Sequence, residues 1–336
     1  MYFNSDNNFF HGIMFHHFHD GEVHKKSQGS ISRDEFYKMI IFIGRNNILN
    51  ADKFYEKLKD NKLKENEVCL TFDDAIKCQM DIAIPVLEDL KIKSFVFIYT
   101  SVFEEKPDNL EAFRYFRCNY FNHVNEFYDN FYKFLHKDTK NFFKNNNEKI
   151  KKIKINHSFY SIEDIKFRFV RDYLIDKNHY EEIMLLMMKE KKFDFKGFYH
   201  TVYFDKSDIR KLDSLGHTIG LHSHNHPTVI QKLSYDEQKS EYEQNLYKIS
   251  KLLNKPIDKI LSMSHPCGNY NDDTLKVLKE LGIEIGFKST MTMEKENKKI
   301  NNSPLEIARE DHSKILKIMH RWESHYLHLT KIDTTT

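Results

Sequence analysis

Short apolar runs alternate with amphipathic segments of helical spacing along most of this 336-residue chain, and this alternation restricts the fold more than any other feature. Repeated strand and helix pairs predict a parallel sheet with crossover helices, because a crossover is needed to lay the next strand parallel to the last. The alternation does not decide whether the sheet is open or closed into a barrel. The runs predicted as strands are residues 12–18, 68–72, 94–99, 217–222, 259–264, 283–287 and 305–309.

Local end signals mark the helices between these strands. Ser32 with Glu35, and Ser234 with Glu237, have the spacing of a capping box, which begins a helix. Gly216 follows a helical segment where a left-handed residue commonly ends a helix. Further helices are predicted at 79–90, where Pro85 is tolerated, at 207–215 and around 275–281.

The alternation stops between residues 104 and 196. This stretch is rich in Phe, Tyr, Asn and Lys and poor in Gly and Pro. Its segments 125–137 and 180–190 have helical spacing, and 141–154 is predicted to be a polar, basic connector. Met184, Met187 and Met188 are interpreted as core residues, because methionine mostly fills gaps in a core. The aromatic side chains either pack this region or line a substrate groove.

The predicted domain organisation is therefore discontinuous. A barrel domain comprises residues 10–103 and 197–325, and residues 104–196 form a helical insertion or lid. Chain length and the 40% content of hydrophobic residues are sufficient for a large core.

Charge, cysteine content and hydropathy exclude several classes of protein. The net charge is +2, with 52 basic and 50 acidic residues, which does not indicate nucleic-acid binding. The four cysteines form no CxxC pair, so we interpret them as reduced thiols. The N-terminus does not resemble a signal peptide, and no apolar run has the length of a spanning helix. We therefore expect a cytoplasmic protein without a transmembrane segment, which meets its substrate in the cytoplasm or at the inner membrane face.

Two adjacent carboxylates end the second predicted strand. Asp73 and Asp74 follow the apolar run 68–72 at the end of a strand, where α/β folds place their sites. Two carboxylates held close together do not both stay ionised without a cation or a proton between them. The pair therefore predicts a cation site.

Three histidines after another predicted strand offer ligands for such a cation. His222, His224 and His226 alternate in the segment HSHNH, and neutral imidazole is a common zinc ligand. If the strand continues through 226, all three histidines share a face. If the chain turns after His222, that residue converges with His226 and His224 points away. The spacing alone leaves this open.

A third polar loop, SHPCGNYND at 264–272, follows a later strand. Pro266 and Gly268 indicate a tight loop, and Asn271 or Asp272 is expected to cap the next helix. Such a loop either presents a backbone N–H to a developing oxyanion or is a simple strand-to-helix turn.

The segments TFDDA, HSHNH and HPCGNYN, in this order and each after a strand, resemble the leading motifs of the polysaccharide deacetylase family. This family has the NodB homology domain and forms carbohydrate esterase family 4. The resemblance covers roughly 10–100 and 200–310. It implies a distorted (β/α) barrel and metal-dependent removal of an acetyl group from an N-acetylated sugar. Because we find no export signal, we expect a nucleotide-linked or lipid-linked glycan precursor as the substrate.

The resemblance also implies roles for individual residues. Asp73 is the catalytic base and a metal-bound water the nucleophile, while Asp74, His222 and His226 are the metal ligands. The implied metal is divalent, with zinc first and cobalt, nickel or manganese as alternatives. Pro266 and Cys267 belong to the loop whose backbone N–H stabilises the oxyanion.

Several positions depart from the family pattern. Ala75 replaces a common glycine, and Ser264 stands where many members have an arginine. Subfamilies that lack this arginine have an aromatic residue at the next position, where this chain has His265. The Trp-containing motif and the late Leu-x-His motif have no evident counterpart. Arg309 resembles the late-strand arginine of members that lack the earlier one, and is expected to orient Asp73. His16 resembles a first-strand histidine near the site, either as the general acid or as a structural residue.

Two other functions are compatible with parts of the sequence. An amidohydrolase-type barrel would use His222 and His224, although that pair normally lies on the first strand. A non-catalytic glycan-binding relative would account for the missing later motifs. The joint presence of Asp73, Asp74, His222 and His226 favours the deacetylase.

Overall fold

The structure, a computed structural model, describes residues 2–3, 8–27, 29–104, 109–135, 143, 145–156, 160–292 and 300–321, without the side chains of residues 196 and 200. These residues form two compact units. The first comprises the residues up to Phe103 and from Phe204 on, and the second spans Glu104–Tyr203.

Short parallel strands form the sheets of the first unit. They are β1 His11–Phe15, β2 Phe18–His19, β3 Ile31–Ser32, β4 Val68–Phe72, β5 Phe95–Ile98, β6 Thr218–Leu221, β7 Ser262–Ser264, β8 Ile285–Phe287 and β9 Arg309–Asp311. Seven of them form one sheet in the order β8-β7-β6-β5-β4-β1-β9, and β2 pairs with β3. Phe287 of β8 also pairs with Ile307, just before β9, so the edges of the sheet meet. The predicted distorted (β/α) barrel is confirmed.

Strands buried on both faces explain the continuous apolar runs in the sequence. Every residue of β1, β4 and β5 is buried, as expected for a parallel sheet covered by helices. The rings of Phe95, Phe97 and Phe287 pack with centroids 5.2–5.9 Å apart, and Phe54 from the flanking helix joins them. This aromatic core thus joins β5, β8 and the helix that contains Phe54.

Capping residues begin the helices of this unit where the sequence predicts them. The capping boxes at Ser32 and Ser234 are present, and Asn271 caps the last of the predicted helices. The helices are α1 Arg33–Ile43, α2 Ala51–Lys59, α3 Ile84–Asp89, α10 Lys206–Ser214, α11 Tyr235–Leu253, α12 Asp272–Glu280 and a further helix over 312–321.

Two predictions about these elements were wrong in detail. The helix predicted over 79–90 is a π-helical turn, Gln79–Ala83, followed by α3. Pro85 therefore follows directly on the π-helical turn, whose last hydrogen bond runs from the N–H of Ile84 to the carbonyl of Gln79. The last strand was predicted at 305–309 but begins at Arg309, because Leu305 lies in a turn and Ile307 makes only an isolated pairing with Phe287.

The regular elements described in the second unit are helices. Its own core includes Met184, Met187 and Met188, all buried. The prediction of a connector over 141–154 was wrong for its second half, which belongs to the helix Asn147–Asn156. The helices are α4 Leu110–Asn119, α5 Val124–Lys133, α6 Asn147–Asn156, α7 Ile162–Phe169, α8 Lys177–Glu190 and α9 Phe195–Val202. The predicted return to the barrel at residue 197 falls within α9, and a lid function stays a prediction.

Within the described part of the chain, no helix combines the length and the apolar character needed to cross a bilayer.

Candidate metal centre and active site

Asp73 and Asp74 reach the same crevice because the backbone turns sharply after β4. Asp74 has φ +77° and Ala75 has φ +54°, a left-handed conformation that residues other than glycine seldom adopt. This turn breaks the alternation of side chains along a strand. Both carboxylates are buried. The strained backbone thus accounts for two adjacent acidic side chains pointing into one site.

Asp74 forms a compact cluster with two histidines from the loop after β6. Its Oδ1 lies 3.2 Å from Nε2 of His222 and 3.4 Å from Nε2 of His226. The two Nε2 atoms are 3.1 Å apart. All three residues are buried, and their ligand atoms lie within 4.8 Å of one another.

The loop after β6 is folded so that His222 and His226 face each other. His226 has φ +51° and Ser223 has φ +61°, so the chain turns immediately after the strand. The Ser223 hydroxyl accepts the backbone N–H of His226 at 3.1 Å. Nδ1 of His222 donates to the carbonyl of Ser264 at 2.8 Å, which fixes the tautomer and leaves Nε2 as the ligand atom.

A divalent cation fits this cluster. Asp74 Oδ1 is buried and receives no well-aligned hydrogen bond from any residue that the structure describes. Burial lowers the pKa of His226 to about 4, so its ring is neutral at neutral pH. Electron-pair donors that face each other this closely repel unless a cation or a shared proton lies among them. Two imidazoles and one carboxylate are a common donor set for zinc in hydrolases.

His224 lies outside the cluster. Its Nδ1 is 2.9 Å from the Thr100 hydroxyl, and its backbone N–H donates to Glu241 at 3.0 Å. Of the two arrangements that the spacing leaves open, the structure has the turn after His222. The His222 and His224 pair of an amidohydrolase-type site is not formed.

Asp73 is paired with Arg309, which comes from β9. Nη1 and Nη2 of Arg309 each lie 2.8 Å from one oxygen of the carboxylate, and both residues are almost fully buried. Burial by itself raises the pKa of Asp73, but the charges of Arg309 and His222 outweigh it and hold the pKa below its ordinary value. Asp73 is therefore an ionised carboxylate held in a fixed orientation.

Ser264 connects Arg309 to Asp73, a contact that the sequence did not suggest. Its hydroxyl accepts from Arg309 Nη2 at 2.7 Å and donates to Asp73 Oδ2 at 3.2 Å. Nε of the same arginine donates to the carbonyl of Lys288 at 2.9 Å. In the sequence, Ser264 stood out because it replaces an arginine of the family pattern. A serine at this position does not indicate that it contacts Arg309 and Asp73.

His16 follows β1 and lies beside both carboxylates. Its Nε2 is 3.8 Å from Asp73 Oδ2 and 3.9 Å from Asp74 Oδ2. The side chain is 28% exposed, against 2% for Asp73, so the ring is on the solvent side of the cluster. The structure thus places His16 at the site, and its role as acid stays a prediction.

The loop of Pro266 and Cys267 follows β7. Pro266 is buried, Cys267 is half-buried with φ +52°, and the two residues form a 3-10 turn with Gly268. Nδ1 of His222 is anchored on the residue at the end of β7, so this loop begins beside the metal cluster. The role of the Cys267 N–H in binding an oxyanion stays a prediction.

Comparison with protein families supplies one match. The family model described as Polysaccharide deacetylase matches residues 60–161 and 172–286, more than half of the chain. The match includes part of the helical second unit, which the resemblance drawn from the motifs did not cover. The comparison with curated proteins found no match.

Solved structures with the same fold come from several bacteria. The deacetylase PplD of Streptococcus pyogenes, in complex with acetate, has a TM-score of 0.52 at 15% identity, covering 90% of this chain and 91% of that chain. IcaB from Ammonifex degensii has a TM-score of 0.51 at 12% identity, covering 90% and 91%. A de-N-acetylase from Aggregatibacter actinomycetemcomitans has a TM-score of 0.50 at 12% identity, covering 89% and 93%. These similarities concern the fold.

Proposed function

Because this chain belongs to the polysaccharide deacetylase family, we propose that it is a metal-dependent hydrolase that removes the acetyl group from an N-acetylated sugar. The observation that carries the proposal is the buried cluster of Asp74, His222 and His226 beside an ionised Asp73. This arrangement combines a cation site with an ionised carboxylate that can accept a proton.

Asp74, His222 and His226 would hold the metal, which when bound acts as a Lewis acid toward water and the acyl carbonyl. Asp73 then accepts the proton of the attacking water. The accepting atom is Oδ2, because this oxygen is the one that lies 4.0 Å from His222 Nε2 and 3.8 Å from His16 Nε2. Arg309 keeps Asp73 ionised before the reaction and fixes the direction of its oxygen.

His16 is the best-placed residue to protonate the leaving amine. Its imidazole lies within 4 Å of both carboxylates and is the most solvent-exposed side chain among these residues. The backbone N–H of Cys267 is proposed as a donor to the developing oxyanion.

Zinc is the proposed metal, because the donor set of two imidazoles and one carboxylate matches its preferences. Cobalt, nickel and manganese are the alternatives. We also propose that the substrate is a glycan precursor met in the cytoplasm or at the inner membrane face, in keeping with the sequence-based expectation.

The proposal is tested by metal analysis of the purified protein together with acetate release from N-acetylated nucleotide sugars and oligosaccharides. We expect about one divalent ion per chain, with acetate release that is abolished by a chelator and restored by zinc. Protein that binds N-acetylated sugar but contains no metal and releases no acetate would favour the glycan-binding relative.

A pair of histidine variants provides the matched control. His226→Ala should lose both the metal and the activity, whereas His224→Ala should keep the metal, because only His226 belongs to the cluster. The reverse result would support the amidohydrolase arrangement.

A further inference from the structure

One face of α11 carries polar side chains where an amphipathic helix would bury apolar ones. Gln238, Glu241 and Asn245 are spaced by three and four residues. Gln238 and Asn245 belong to the buried face together with Tyr242, Leu246 and Ile249, and Glu241 is half-buried beside them. Gln238 and Asn245 are completely buried. Burying polar groups is unfavourable unless they are hydrogen-bonded, so their partners reveal what they do.

Asn245 joins the ends of two neighbouring strands at the metal cluster. Its Oδ1 accepts the backbone N–H of His222 at 3.0 Å. Its Nδ2 donates to the carbonyl of Ile98, the last residue of β5, at 3.0 Å, and to the Thr100 hydroxyl at 3.1 Å. Both amide hydrogens are used, and the partners allow only one orientation of the amide.

Glu241, one helical turn earlier, holds the rest of the same loop. Its Oε2 accepts the backbone N–H of His224 at 3.0 Å and that of Asn225 at 2.8 Å. Gln238 donates instead to the carbonyl of Leu233, at the far end of the same connection, at 3.0 Å and to Asn271, the N-cap of α12, at 3.3 Å. The hydrogen bonds from this helix face to residues 222–225 thus come from Glu241 and Asn245.

We propose that Asn245 is a positioning residue that sets the location of His222 and thereby the affinity of the site for its metal. This inference rests on the proposed function. The imidazole is fixed at Nδ1 by Ser264, and its backbone is fixed by Asn245 and by Ile98, whose carbonyl also accepts the His222 N–H at 3.2 Å. Without Asn245, the backbone of His222 is held by a single bond at the end of β5, and the direction of Nε2 is less constrained.

The test is the Zn²⁺ affinity of Asn245→Leu, measured by competition with a chromophoric chelator. Leucine has the same number of side-chain heavy atoms and the same branching at Cγ, and it removes all three hydrogen bonds. We expect its Kd for Zn²⁺ to rise about 10–100-fold, the effect typical of groups that orient metal ligands. Gln238→Leu is the matched control, because it removes an equally buried polar side chain from the same helix face whose hydrogen bonds go to Leu233, Asn271 and Thr274 and not to residues 222–226. Its Kd should equal that of the wild type.

An unchanged Kd in Asn245→Leu would overturn the proposal, and so would equal rises in both variants, since general destabilisation would then be the cause. Thr100→Val offers a milder route if Asn245→Leu does not fold. It removes one of the Asn245 contacts and should weaken Zn²⁺ binding in the same direction. If both variants fold, the double variant should bind Zn²⁺ no more weakly than Asn245→Leu, because the two residues form one network.

A measurement on metal-free protein distinguishes failure of the Asn245 proposal from failure of the proposed hydrolase function. Wild-type protein that binds neither Zn²⁺ nor Co²⁺, Ni²⁺ or Mn²⁺ would contradict the metal-dependent hydrolase. Crystal structures of chelator-treated proteins would still decide the role of Asn245. We expect His222 Nε2 to move away from Asp74 Oδ1 in Asn245→Leu and to stay in place in Gln238→Leu. An unmoved His222 in both would contradict the positioning role.

Discussion

Asp73 and Asp74 are neighbours in the chain, yet their carboxylates have different partners. Asp73 is paired with a guanidinium on both oxygens, whereas Asp74 faces two imidazole nitrogens. Burial opposes ionisation of both groups, and in each case the partners outweigh it and lower the pKa. Two like charges therefore coexist because each has its own cation or cation site.

This division predicts different losses in two isosteric variants. Asp74→Asn should lose its metal, since a neutral amide replaces the only anionic ligand. Asp73→Asn should keep the metal but lose about 10²–10⁴-fold in kcat, the range for a general base. It should also be less stable by about 3–5 kcal/mol, because Arg309 stays buried without its partner. Metal content, acetate release and denaturant unfolding of both variants check this. Equal metal loss in the two variants would contradict the assignment.

The residue types at this site were readable from the sequence, but their geometry was not. The spacing of HSHNH allowed His224 as well as His226 to join His222. The choice depends on left-handed backbone at Ser223 and His226, and these residue types do not indicate it. Likewise, Ser264 was noticed only as a departure from a pattern, because its contact with Arg309 joins positions far apart in sequence.

At the level of secondary-structure elements, the pairing of β1 with β9 makes room for the arginine of the site. Gly12 lies directly opposite Arg309 in this parallel pair. A Cβ added to Gly12 would come within 2.9 Å of Arg309 Cγ and 3.2 Å of a Phe287 ring carbon. The long side chain of Arg309 reaches Asp73 because the facing strand has no side chain at that point.

Gly12→Ala should therefore reduce activity through Arg309. The added methyl group displaces the arginine side chain, so that its bonds to Asp73 lengthen while the metal ligands stay in place. We expect lower kcat with normal metal content, and a stability loss of about 1–3 kcal/mol from overpacking. Ile13→Val in the same strand is the control, with a comparable loss of about 0.5–1.5 kcal/mol and unchanged activity. Full activity in a folded Gly12→Ala protein would contradict this prediction, because it would show that Arg309 avoids the added methyl group without losing its bonds to Asp73.

Secondary structure followed the sequence where the signal was local. The capping boxes at Ser32 and Ser234 begin their helices as predicted, because the cap depends only on residues within one turn. The π-helical turn at Gln79–Ala83 was missed, since its Gln79 side chain is held by the carbonyls of His16 and Asp73. Such a tertiary contact leaves no periodic signal in the sequence.

At the scale of the whole molecule, each unit has its own core. In the helical unit, Asp164 accepts hydrogen bonds from Arg117 at 3.0 Å, Tyr128 at 2.9 Å and Arg168 at 2.9 Å. Burial raises the pKa of Asp164, but the two arginines outweigh it and hold the pKa well below the ordinary value. This network is buried among the aromatic side chains of that unit.

Asp164→Ala should destabilise the helical unit selectively. The substitution leaves Arg117 buried without its ionic partner, which costs about 3–5 kcal/mol. Hydrogen exchange should accelerate in the helices between Glu104 and Tyr203, whereas the amides of β4 and β5 should keep their protection because their core is separate. Equal acceleration in both units would mean that the protein unfolds as one cooperative body.

Acid should destabilise the barrel unit through buried neutral histidines. Burial lowers the pKa of His11 and of His217 to about 4. Nδ1 of His217 accepts the backbone N–H of Ser94 at 3.1 Å, a bond that is lost on protonation. In the unfolded chain these histidines have a pKa of about 6.5, so as the pH falls they take up protons before the folded protein does. The free energy of unfolding therefore falls as pH drops from about 6.5 to about 4, by roughly 3 kcal/mol for each residue.

The His217→Gln variant isolates one of these contributions. Glutamine can accept the Ser94 N–H but does not titrate, so its unfolding free energy should fall less steeply between about pH 6.5 and pH 4 than that of the wild type. Denaturant unfolding of chelator-treated protein across this range gives both slopes, and the metal ligands contribute equally to each. Above about pH 7 the two proteins should respond alike to pH, because His217 is neutral there in both the folded and the unfolded state. Identical slopes at acid pH would show that protonation of His217 is not coupled to unfolding.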